Sequence, residues 1–373
     1  SSLKFIKERT TETLGNLFKI HWPYKQLETS RNIKLLPYHK ELKNLGACFG
    51  QMAGYERPMW FSNKKKPNYE YSFGYQNWYQ SAKKECINTR KNLGFFDLTP
   101  FVKFDFSGKH AHEQLQYLCA NNIKNIEGKT TYTQMLNPSG GIEADVTVSC
   151  LKKNYFRIIC PALARSHNKS HILKNLTKKV KFEDVTDKYS CIGLFGPNSR
   201  KFLTRLFGNY FSNVDFPFSR GKYITILNNK IWFQRLSFIG ELGWEIYIPI
   251  KKTNRIFDKI RNLGKKYNLT YSGMHALDIL RLEKKFLHWG HDITSENNPF
   301  EAGLSFAVNF KKNQNFIGRE ALEKIKEKPT KNKLALFSLK NVSKPGKPLL
   351  LHDEPVYIDD KIIGYTTSSN YSF

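Results

Sequence analysis

The segment Thr131–Val148 constrains the fold most strongly, because it predicts two strands joined by the turn Asn-Pro-Ser-Gly-Gly at 137–141. Beyond the turn, apolar and polar side chains alternate, which is the period of a strand with one buried face. The polar face of this strand carries Glu143, Asp145 and Thr147. Two neighbouring carboxylates are poor strand formers and repel each other. Either this face meets solvent, or it lines a pocket that uses an acid.

The remaining sequence mixes helix and strand patterns, which predicts an α+β chain. Strand patterns at Tyr223–Leu227 and Ile231–Ser237 predict a second hairpin. The stretch Gly50–Phe61, which is rich in glycine and aromatic residues, is predicted to be a loop. The region after 333 shows strand patterns without helices, beginning with Leu334–Leu339. Motifs for phosphate-binding loops, dinucleotide binding and nucleophilic serines are lacking, so nucleotide binding and serine hydrolase chemistry have no support.

The formal net charge of +28 over 373 residues needs an explanation. An excess of this size is typical of nucleic-acid binding. The lysines are dispersed, however, and nucleic-acid readers usually favour arginine for its planar fork. Lysine, asparagine, isoleucine, phenylalanine and tyrosine all have codons rich in A and T, so coding bias explains the excess better. Nucleic acid is therefore not an expected partner, although a basic surface would steer an anionic ligand towards the chain.

The six cysteines are scattered and form no Cys-x-x-Cys pair, which argues against a zinc module and against a disulfide-stapled secreted domain. The sequence also lacks an apolar run of about 18 residues, so no membrane span is predicted. We therefore expect a cytoplasmic protein, or one of the mitochondrial matrix if the source is eukaryotic.

Glu245 is a second acid in an apolar setting, within the predicted strand Gly240–Ile248. In a strand, Glu245 and Tyr247 share one face, and Trp244 lies on the other. A carboxylate in such a strand is either a rim residue that faces solvent or a partly buried group that needs a partner.

His288, His291 and Asp292 form a partial metal-ligand pattern. A transition metal needs a third and a fourth protein or solvent ligand in defined geometry, and the surrounding sequence supplies no patterned one. We therefore predict a structural loop, packed by Trp289, and no metal site.

As an ordered set, several motifs of the chain resemble the folate-binding aminomethyltransferase family, which includes the glycine-cleavage T-protein. The resemblance covers about residues 36 to 373. The sequences GYERPMWF at 54–61 and HWGHD at 288–292 are similar to those of the family branch that forms the C-terminal half of dimethylglycine and sarcosine dehydrogenases. The other motifs that carry the resemblance are GACFG at 46–50, GFFDL at 94–98, MLNPSGGIEAD at 135–145, GPNSR at 196–200, GELGWE at 240–245, LRLE at 280–283 and PFEAG at 299–303.

The resemblance implies an α+β, multi-domain cloverleaf around a central folate site. Residues 1–35 would be the tail of a preceding FAD-dependent oxidoreductase domain. Residues 36–332 would form the folate-binding aminomethyltransferase domain, built from two α+β subdomains with a boundary near 190. Residues 333–373 would begin a C-terminal antiparallel β-barrel that is incomplete here. Both ends of the sequence look cut, so we expect a fragment of a longer chain.

The resemblance also implies roles for individual residues. Asp145 would be the catalytic acid beside N10 of tetrahydrofolate, and Glu245 would hold the two-donor edge of the pterin. Phe238 lies where relatives carry tyrosine, and Leu277 lies where the T-protein has an arginine, so two family contacts are missing. Tetrahydrofolate is the expected cofactor, with FAD only through a domain absent from this chain. The further side chains expected to line the folate site are Thr147, Phe238, Tyr132 and Trp289.

The function implied by the resemblance is transfer of a one-carbon methylene unit to tetrahydrofolate from an oxidised N-methyl amine of the dimethylglycine or sarcosine type. The expected partners are the amine-derived iminium and an FAD-dependent oxidoreductase domain, in the same parent chain or in another subunit. The alternative is a non-catalytic relative that resembles the regulatory subunit of pyruvate dehydrogenase phosphatase. An RNA-associated folate protein ranks last, because the family's RNA-modification branch carries a KGC-type cysteine motif that this sequence lacks.

Overall fold

The computed structural model describes residues 3–373 except Lys65, Asn341, Ser343 and Pro348. Its α-helices are α1 (Leu3–Asn16), α2 (His39–Asn44), α3 (Tyr79–Lys91), α4 (Ala111–Leu118), α5 (Arg165–Lys174), α6 (Ser199–Phe207), α7 (Thr253–Gly264), α8 (Met274–Glu283) and α9 (Arg319–Lys326). Its strands are β1 (Lys34–Leu35), β2 (Ala47–Met52), β3 (Tyr55–Phe61), β4 (Leu93–Asp97), β5 (Val102–Ser107), β6 (Thr130–Leu136), β7 (Ile142–Lys152), β8 (Tyr155–Cys160), β9 (Lys181–Asp184), β10 (Tyr189–Phe195), β11 (Gly221–Ile226), β12 (Asn229–Gln234), β13 (Gly243–Pro249), β14 (Leu269–Ser272), β15 (Pro355–Ile358) and β16 (Lys361–Tyr365). Within the described ranges, no helix has the length and apolar character that a membrane crossing requires.

The strands form four open sheets. A five-stranded antiparallel sheet has the order β6-β7-β8-β5-β9, and a six-stranded sheet has the order β11-β12-β13-β10-β4-β14. The pairing of β14 with β4 is parallel, whereas the other pairings of the six-stranded sheet are antiparallel. A three-stranded sheet β1-β3-β2 and the hairpin β15-β16 complete the set. The described sheets do not close into a barrel.

One face of the five-stranded sheet is apolar and is covered by helices. Alternating side chains of β5, β7 and β8 pack against α4 and α5 in one buried cluster. Phe104, Val146 and Ile158 are typical members of this cluster, and each is almost completely buried. The strict alternation of β7 therefore leaves its other face, with Asp145 and Thr147, pointing away from the helices.

The six-stranded sheet is buried on both faces. On one side, residues such as Ile246 and Ile192 pack against α6 and α7, whose apolar side chains recur at helical spacing. On the other side, Tyr247 and Trp232 belong to a second cluster with α3 and α8. The polar face of the five-stranded sheet meets this second side, where Ser149 Oγ donates a hydrogen bond of 2.5 Å to Gln234 Oε1.

The stretch Gly50–Phe61 is a β-hairpin, so the predicted loop is wrong. Strands β2 and β3 pair around a two-residue turn at Ala53 and Gly54, both of which have positive φ (51° and 83°). This is the backbone that tight hairpins require. Its aromatic residues do not mark a loop, because Tyr55 and Trp60 are buried in the core of the fold.

The predicted strand at Leu334–Leu339 is also wrong. The segment is described throughout and has no strand pairing, and the ring of Phe337 is 77% exposed. A strand needs a neighbour for its backbone N–H and C=O groups. Only the later part of this region pairs, as the hairpin of β15 with β16.

A buried ion pair lies on the polar face of the five-stranded sheet. Arg157 Nε and Nη2 donate to Asp105 Oδ1 and Oδ2 at 2.7 and 2.9 Å, and both side chains are buried. Tyr155 donates a third hydrogen bond to the same carboxylate at 2.5 Å. These forked hydrogen bonds between Arg157 and Asp105 link β8 to β5 through side chains, in addition to the backbone pairing of the two strands.

We expect Asp105→Ala to lower the free energy of unfolding by about 3–5 kcal/mol, because it leaves the Arg157 charge buried and unpaired. Urea unfolding followed by circular dichroism measures the change. The control is Asp258→Ala, which removes an exposed partner of Arg261 at 3.0 Å and should cost only about 0–1 kcal/mol. Equal losses in the two variants would contradict the prediction.

Candidate functional site

Asp145 lies on β7 directly opposite Gln134 of β6. Gln134 Nε2 donates a hydrogen bond of 2.9 Å to Asp145 Oδ1, and the hydroxyl of Tyr132 also donates to this carboxylate. Burial raises the pKa of Asp145 to about 6, although the two hydrogen bonds act in the opposite direction. The polar face of β7 therefore carries a half-buried acid whose pKa lies near neutrality.

Glu245 lies on β13 opposite Gln234 of β12. Its Oε2 atom accepts hydrogen bonds from the hydroxyl of Tyr247 at 2.6 Å and from Gln234 Nε2 at 3.1 Å. Burial raises the pKa of Glu245, while these two bonds and the buried ammonium group of Lys103 oppose the rise. Glu245 is thus a partly buried carboxylate with partners rather than a rim residue in open solvent.

Gln234 connects Glu245 to the five-stranded sheet that carries Asp145. Its Oε1 accepts from Ser149 Oγ, which lies on the same face of β7 as Asp145 and also bonds Thr130 Oγ1 at 3.0 Å. Its Nε2 donates to Glu245. The polar face of the five-stranded sheet and the inner face of the six-stranded sheet are therefore joined by a continuous line of hydrogen bonds. Asp145 and Glu245 therefore lie on the facing surfaces of the two sheets.

The other predicted site residues lie around this region at different depths. Thr147 lies opposite Tyr132 in the β6–β7 pairing, on the same face as Asp145. Trp289 donates its Nε1 proton to the carbonyl of Ile142 at 2.8 Å, which ties its loop to the beginning of β7. Phe238 follows β12, is half-buried and packs with the cluster of the inner sheet face.

Sequence reasoning missed four residues of the site. Gln134 and Gln234 are buried amides within strands, and each binds one of the two acids. A glutamine next to an apolar strand residue, Met135 for Gln134 and Phe233 for Gln234, was an available signal. Tyr247 was noticed only as the neighbour of Glu245. No sequence pattern pointed to Phe306. This residue is 72% exposed, and its ring stacks on the ring of Tyr132 with 6.0 Å between the centroids.

The unpaired atoms of the site are acceptors. Gln134 Oε1 is buried without a hydrogen-bond donor. Glu245 Oε1 accepts no hydrogen bond from the residues that the structure describes, although it is not fully shielded from solvent. A buried acceptor without a partner is costly, so the site suits a ligand that presents N–H groups. The amino group and ring N–H groups of a reduced pterin are donors of this kind, so these residues fit tetrahydrofolate.

The His-Trp-Gly-His-Asp loop is held by an ion pair. Arg281 Nη1 donates to Asp292 Oδ2 at 2.5 Å, and the backbone N–H of His288 donates to the same oxygen at 2.9 Å. Burial lowers the pKa of His288 to about 4. Across the described residues, no group of three or more His, Cys, Asp or Glu side chains could hold a metal ion.

Two open surface hollows lie away from these acids. One, of about 640 Å³, is lined by α3 and the start of β14, and the other, of about 430 Å³, lies around Lys312. Neither includes Asp145 or Glu245. The candidate site is therefore defined by converging side chains and their unpaired acceptors.

The fold is that of a known class of structures. The crystal structure of glycine cleavage system aminomethyltransferase T from Bartonella henselae matches with a TM-score of 0.68 and 23% sequence identity, over 80% of this chain and 76% of that one. The arrangement is thus a mixed α/β fold of the T-protein type.

The sequence model of the GCVT N-terminal domain matches residues 38–312, and the chain belongs to this family. The family supports a folate-dependent activity of the aminomethyltransferase type. The resemblance inferred from the motifs is confirmed. Residues 1–35 match a second model, that of the FAD dependent oxidoreductase central domain.

Several relatives match nearly the whole chain. The 4-methylaminobutanoate oxidase (formaldehyde-forming) of Paenarthrobacter nicotinovorans is 34% identical, over 98% of this chain and 44% of that protein. The mitochondrial dimethylglycine dehydrogenase of Rattus norvegicus is 32% identical, over 100% of this chain and 43% of that protein. The mitochondrial pyruvate dehydrogenase phosphatase regulatory subunit of Mus musculus is 31% identical, over 100% of this chain and 44% of that protein. The chain therefore spans less than half the length of these relatives.

We expect Asp145→Asn to change stability in a pH-dependent way. An unfolded aspartate titrates near ~3.9, whereas Asp145 titrates at about 6 in the folded chain. The stability that proton binding provides is therefore fully present below about pH 4 and is lost as the pH rises through 6. Asparagine cannot ionise, so the variant lacks this pH dependence. The free energy of unfolding of Asp145→Asn relative to that of wild type should therefore be higher at about pH 8 than at about pH 4.

Thermal unfolding of both proteins across this pH range measures the difference directly. A difference in melting temperature that stays constant with pH would show that Asp145 does not titrate abnormally in the folded state.

Proposed function

We propose that this chain is a tetrahydrofolate-binding aminomethyltransferase module, which transfers a methylene unit from an oxidised N-methyl amine of the dimethylglycine or sarcosine type. The observation that carries the proposal is the pair of half-buried acids on facing sheets, each held by a strand glutamine, with the buried Oε1 of Gln134 left without a donor beside Asp145. A non-catalytic scaffold has no need for such atoms, because each one costs stability. When bound, tetrahydrofolate would supply the nitrogen nucleophile that accepts the one-carbon unit.

Glu245 would hold the pterin. Its Oε2 is fixed by Tyr247 and Gln234, which leaves Oε1 to accept from the amino group and ring N–H of the ligand. Charge-assisted hydrogen bonds of this kind contribute about 1.5–3 kcal/mol each. Because the carboxylate is held from behind by two buried side chains, it would be oriented before the ligand arrives.

Asp145 would be the catalytic acid. Its carboxylate is oriented by Gln134 and Tyr132. Its pKa of about 6 lies close to neutral pH, and a group whose pKa is near the working pH both accepts and releases protons efficiently. The transfer must shed one proton as the second bond to the methylene carbon forms. Asp145 would orient the attacking nitrogen and accept that proton.

The remaining predicted residues would shape the walls. Thr147 shares the face of Asp145, and Tyr132 with its stacked partner Phe306 would offer aromatic surface to the ligand. Phe238 would pack on the ligand without the hydroxyl that a tyrosine would add. Trp289 would act mainly by fixing the start of β7 through its bond to Ile142.

We propose that residues 1–35 complete an FAD-dependent oxidoreductase domain, which oxidises the amine and delivers the iminium. Residues 36–332 would then be the folate domain with its subdomain boundary near 190, arranged as a cloverleaf. Residues 333–373 would begin a C-terminal β-barrel. Dimethylglycine dehydrogenase and the formaldehyde-forming oxidase among the relatives support this class of amine substrate. A cytoplasmic or mitochondrial-matrix location would suit this role.

A regulatory role is the competing function, because one relative of similar identity is a regulatory subunit. The chain would then keep the fold and use its surface to bind a partner protein. Folate binding separates the two functions, since a regulatory chain has no need for it.

We expect the wild-type chain to bind tetrahydrofolate in isothermal titration calorimetry, and Glu245→Gln to bind at least about tenfold more weakly, because the amide carries no negative charge and replaces one acceptor oxygen by an N–H₂ donor. Asp145→Asn should keep its affinity, since its role lies in proton transfer. The matched control is Glu241→Gln, four residues before Glu245 in the chain. A folded wild-type chain that does not bind would overturn the enzyme proposal and favour the regulatory one.

A further inference from the structure

Glu143 is the acid on the polar face of β7 that has no role in the proposed function. It lies on the same face as Asp145, because only the buried Ala144 separates the two residues. A strand advances about 3.3 Å per residue, so their Cα atoms are about 7 Å apart. A single water molecule spans a gap of this size between two long polar side chains. Glu143 is therefore the acid of β7 that can exchange a proton with Asp145.

The first half of β7 has a free edge beside Glu143. Strand β8 pairs with β7 only from Thr147 onwards, so the residues before Thr147 have no strand neighbour on that side within the described part of the chain. Side chains bond the backbone there instead. His167 Nε2 of α5 lies 3.1 Å from the carbonyl oxygen of Glu143, and Trp289 Nε1 donates to that of Ile142 at 2.8 Å. The rings of His167 and Trp289 lie 5.0 Å apart, so they cover this edge together.

The carboxylate of Glu143 is held from two directions. His167 Nε2 lies 2.8 Å from its Oε2, and Asn137 Nδ2 of the preceding turn donates to its Oε1 at 3.3 Å. The exposed fraction rises outwards, from 18% for the side chain of Glu143 to 43% for that of His167. His171 and Lys174 are the further charged groups of α5 nearby; burial lowers the pKa of His171, and the charge of Glu143 opposes this. Glu143 thus connects the interior of the site with solvent.

Asp145 needs such a connection, because neither side chain that bonds it can carry a proton away. Gln134 does not titrate, and burial raises the pKa of Tyr132 well above its ordinary value. Thr147, the next residue on the same face, has a hydroxyl group that stays protonated. In the proposed reaction Asp145 takes up one proton per turnover, and it must lose this proton before the next one.

We propose that Glu143 is the proton outlet of the site, and that His167 is the positioning residue that holds it in place. The O–H bond of protonated Asp145 breaks, a water molecule takes this proton and passes one of its own to Glu143, and Glu143 releases a proton to bulk solvent. One proton leaves Asp145 and one reaches the solvent, so both carboxylates return to their ionised forms. This inference rests on the proposed function, because it assigns the exit of the proton that Asp145 accepts there.

The test is a proton-jump experiment on the whole chain. A caged acid is photolysed so that the pH falls from about 7 to about 5, across the pKa of Asp145, and the infrared band of protonated Asp145 is followed in time. Loss of the band in Asp145→Asn assigns it. Protons enter and leave by the same route, so Glu143→Gln should protonate Asp145 at least about tenfold more slowly than wild type, because an amide does not carry protons at neutral pH.

Three comparisons separate a proton outlet from a purely structural role. Added formate, a small proton carrier, should restore the rate in Glu143→Gln. The pH midpoint of the band should change little in this variant, because burial, and not Glu143, raises the pKa of Asp145. Glu113→Gln is the matched control and should leave the rate unchanged, since it breaks another Glu–His pair, in which His110 Nδ1 lies 3.2 Å from Glu113 Oε2 on α4.

Equal rates in Glu143→Gln and wild type would overturn the inference, as would a slow variant that formate does not restore. If Glu143→Gln does not fold, Glu143→Thr takes its place with the same expected result, because threonine suits a strand and already occupies this face at Thr147. The infrared measurement needs no folate. Failure of the outlet with tetrahydrofolate binding intact would therefore leave the proposed function standing, whereas loss of folate binding with a working outlet would refute the proposed function alone.

Discussion

The structure depends on the contact between two sheets whose facing surfaces are polar. Gln234 is the central residue of this contact, because its amide accepts from Ser149 on one sheet and donates to Glu245 on the other. A buried amide satisfies only partners at fixed distances and angles, so it fixes the relative position of the sheets more strictly than an apolar contact would. The two acids therefore lie on separate sheets whose polar surfaces are held against each other.

Gln134 Oε1, which lies beside Asp145, is buried without a hydrogen-bond donor. A buried polar atom without a partner is costly in a folded chain and is usually satisfied by something else, such as water or a ligand. This atom and the half-buried carboxylate next to it are therefore the part of the site that a donor-rich ligand would satisfy.

Sequence reasoning identified the strands that carry both acids, since alternation places Asp145 and Glu245 opposite their apolar neighbours. It failed where the pattern was irregular. The hairpin around Ala53 and Gly54 was taken for a loop, because its buried aromatic residues do not alternate cleanly with polar ones. Leu334–Leu339 alternates like a strand but finds no partner among the described residues, and a strand pattern without a neighbour does not make a sheet.

The sequence by itself determined the family, the α+β character and the two acids, because these depend on local motifs and on the period of each element. Only the tertiary structure decided that Gln134 and Gln234 orient those acids. These features depend on residues far apart in the chain, such as Ser149 and Gln234. No local pattern encodes which of them meet, because packing of whole sheets and helices brings them together.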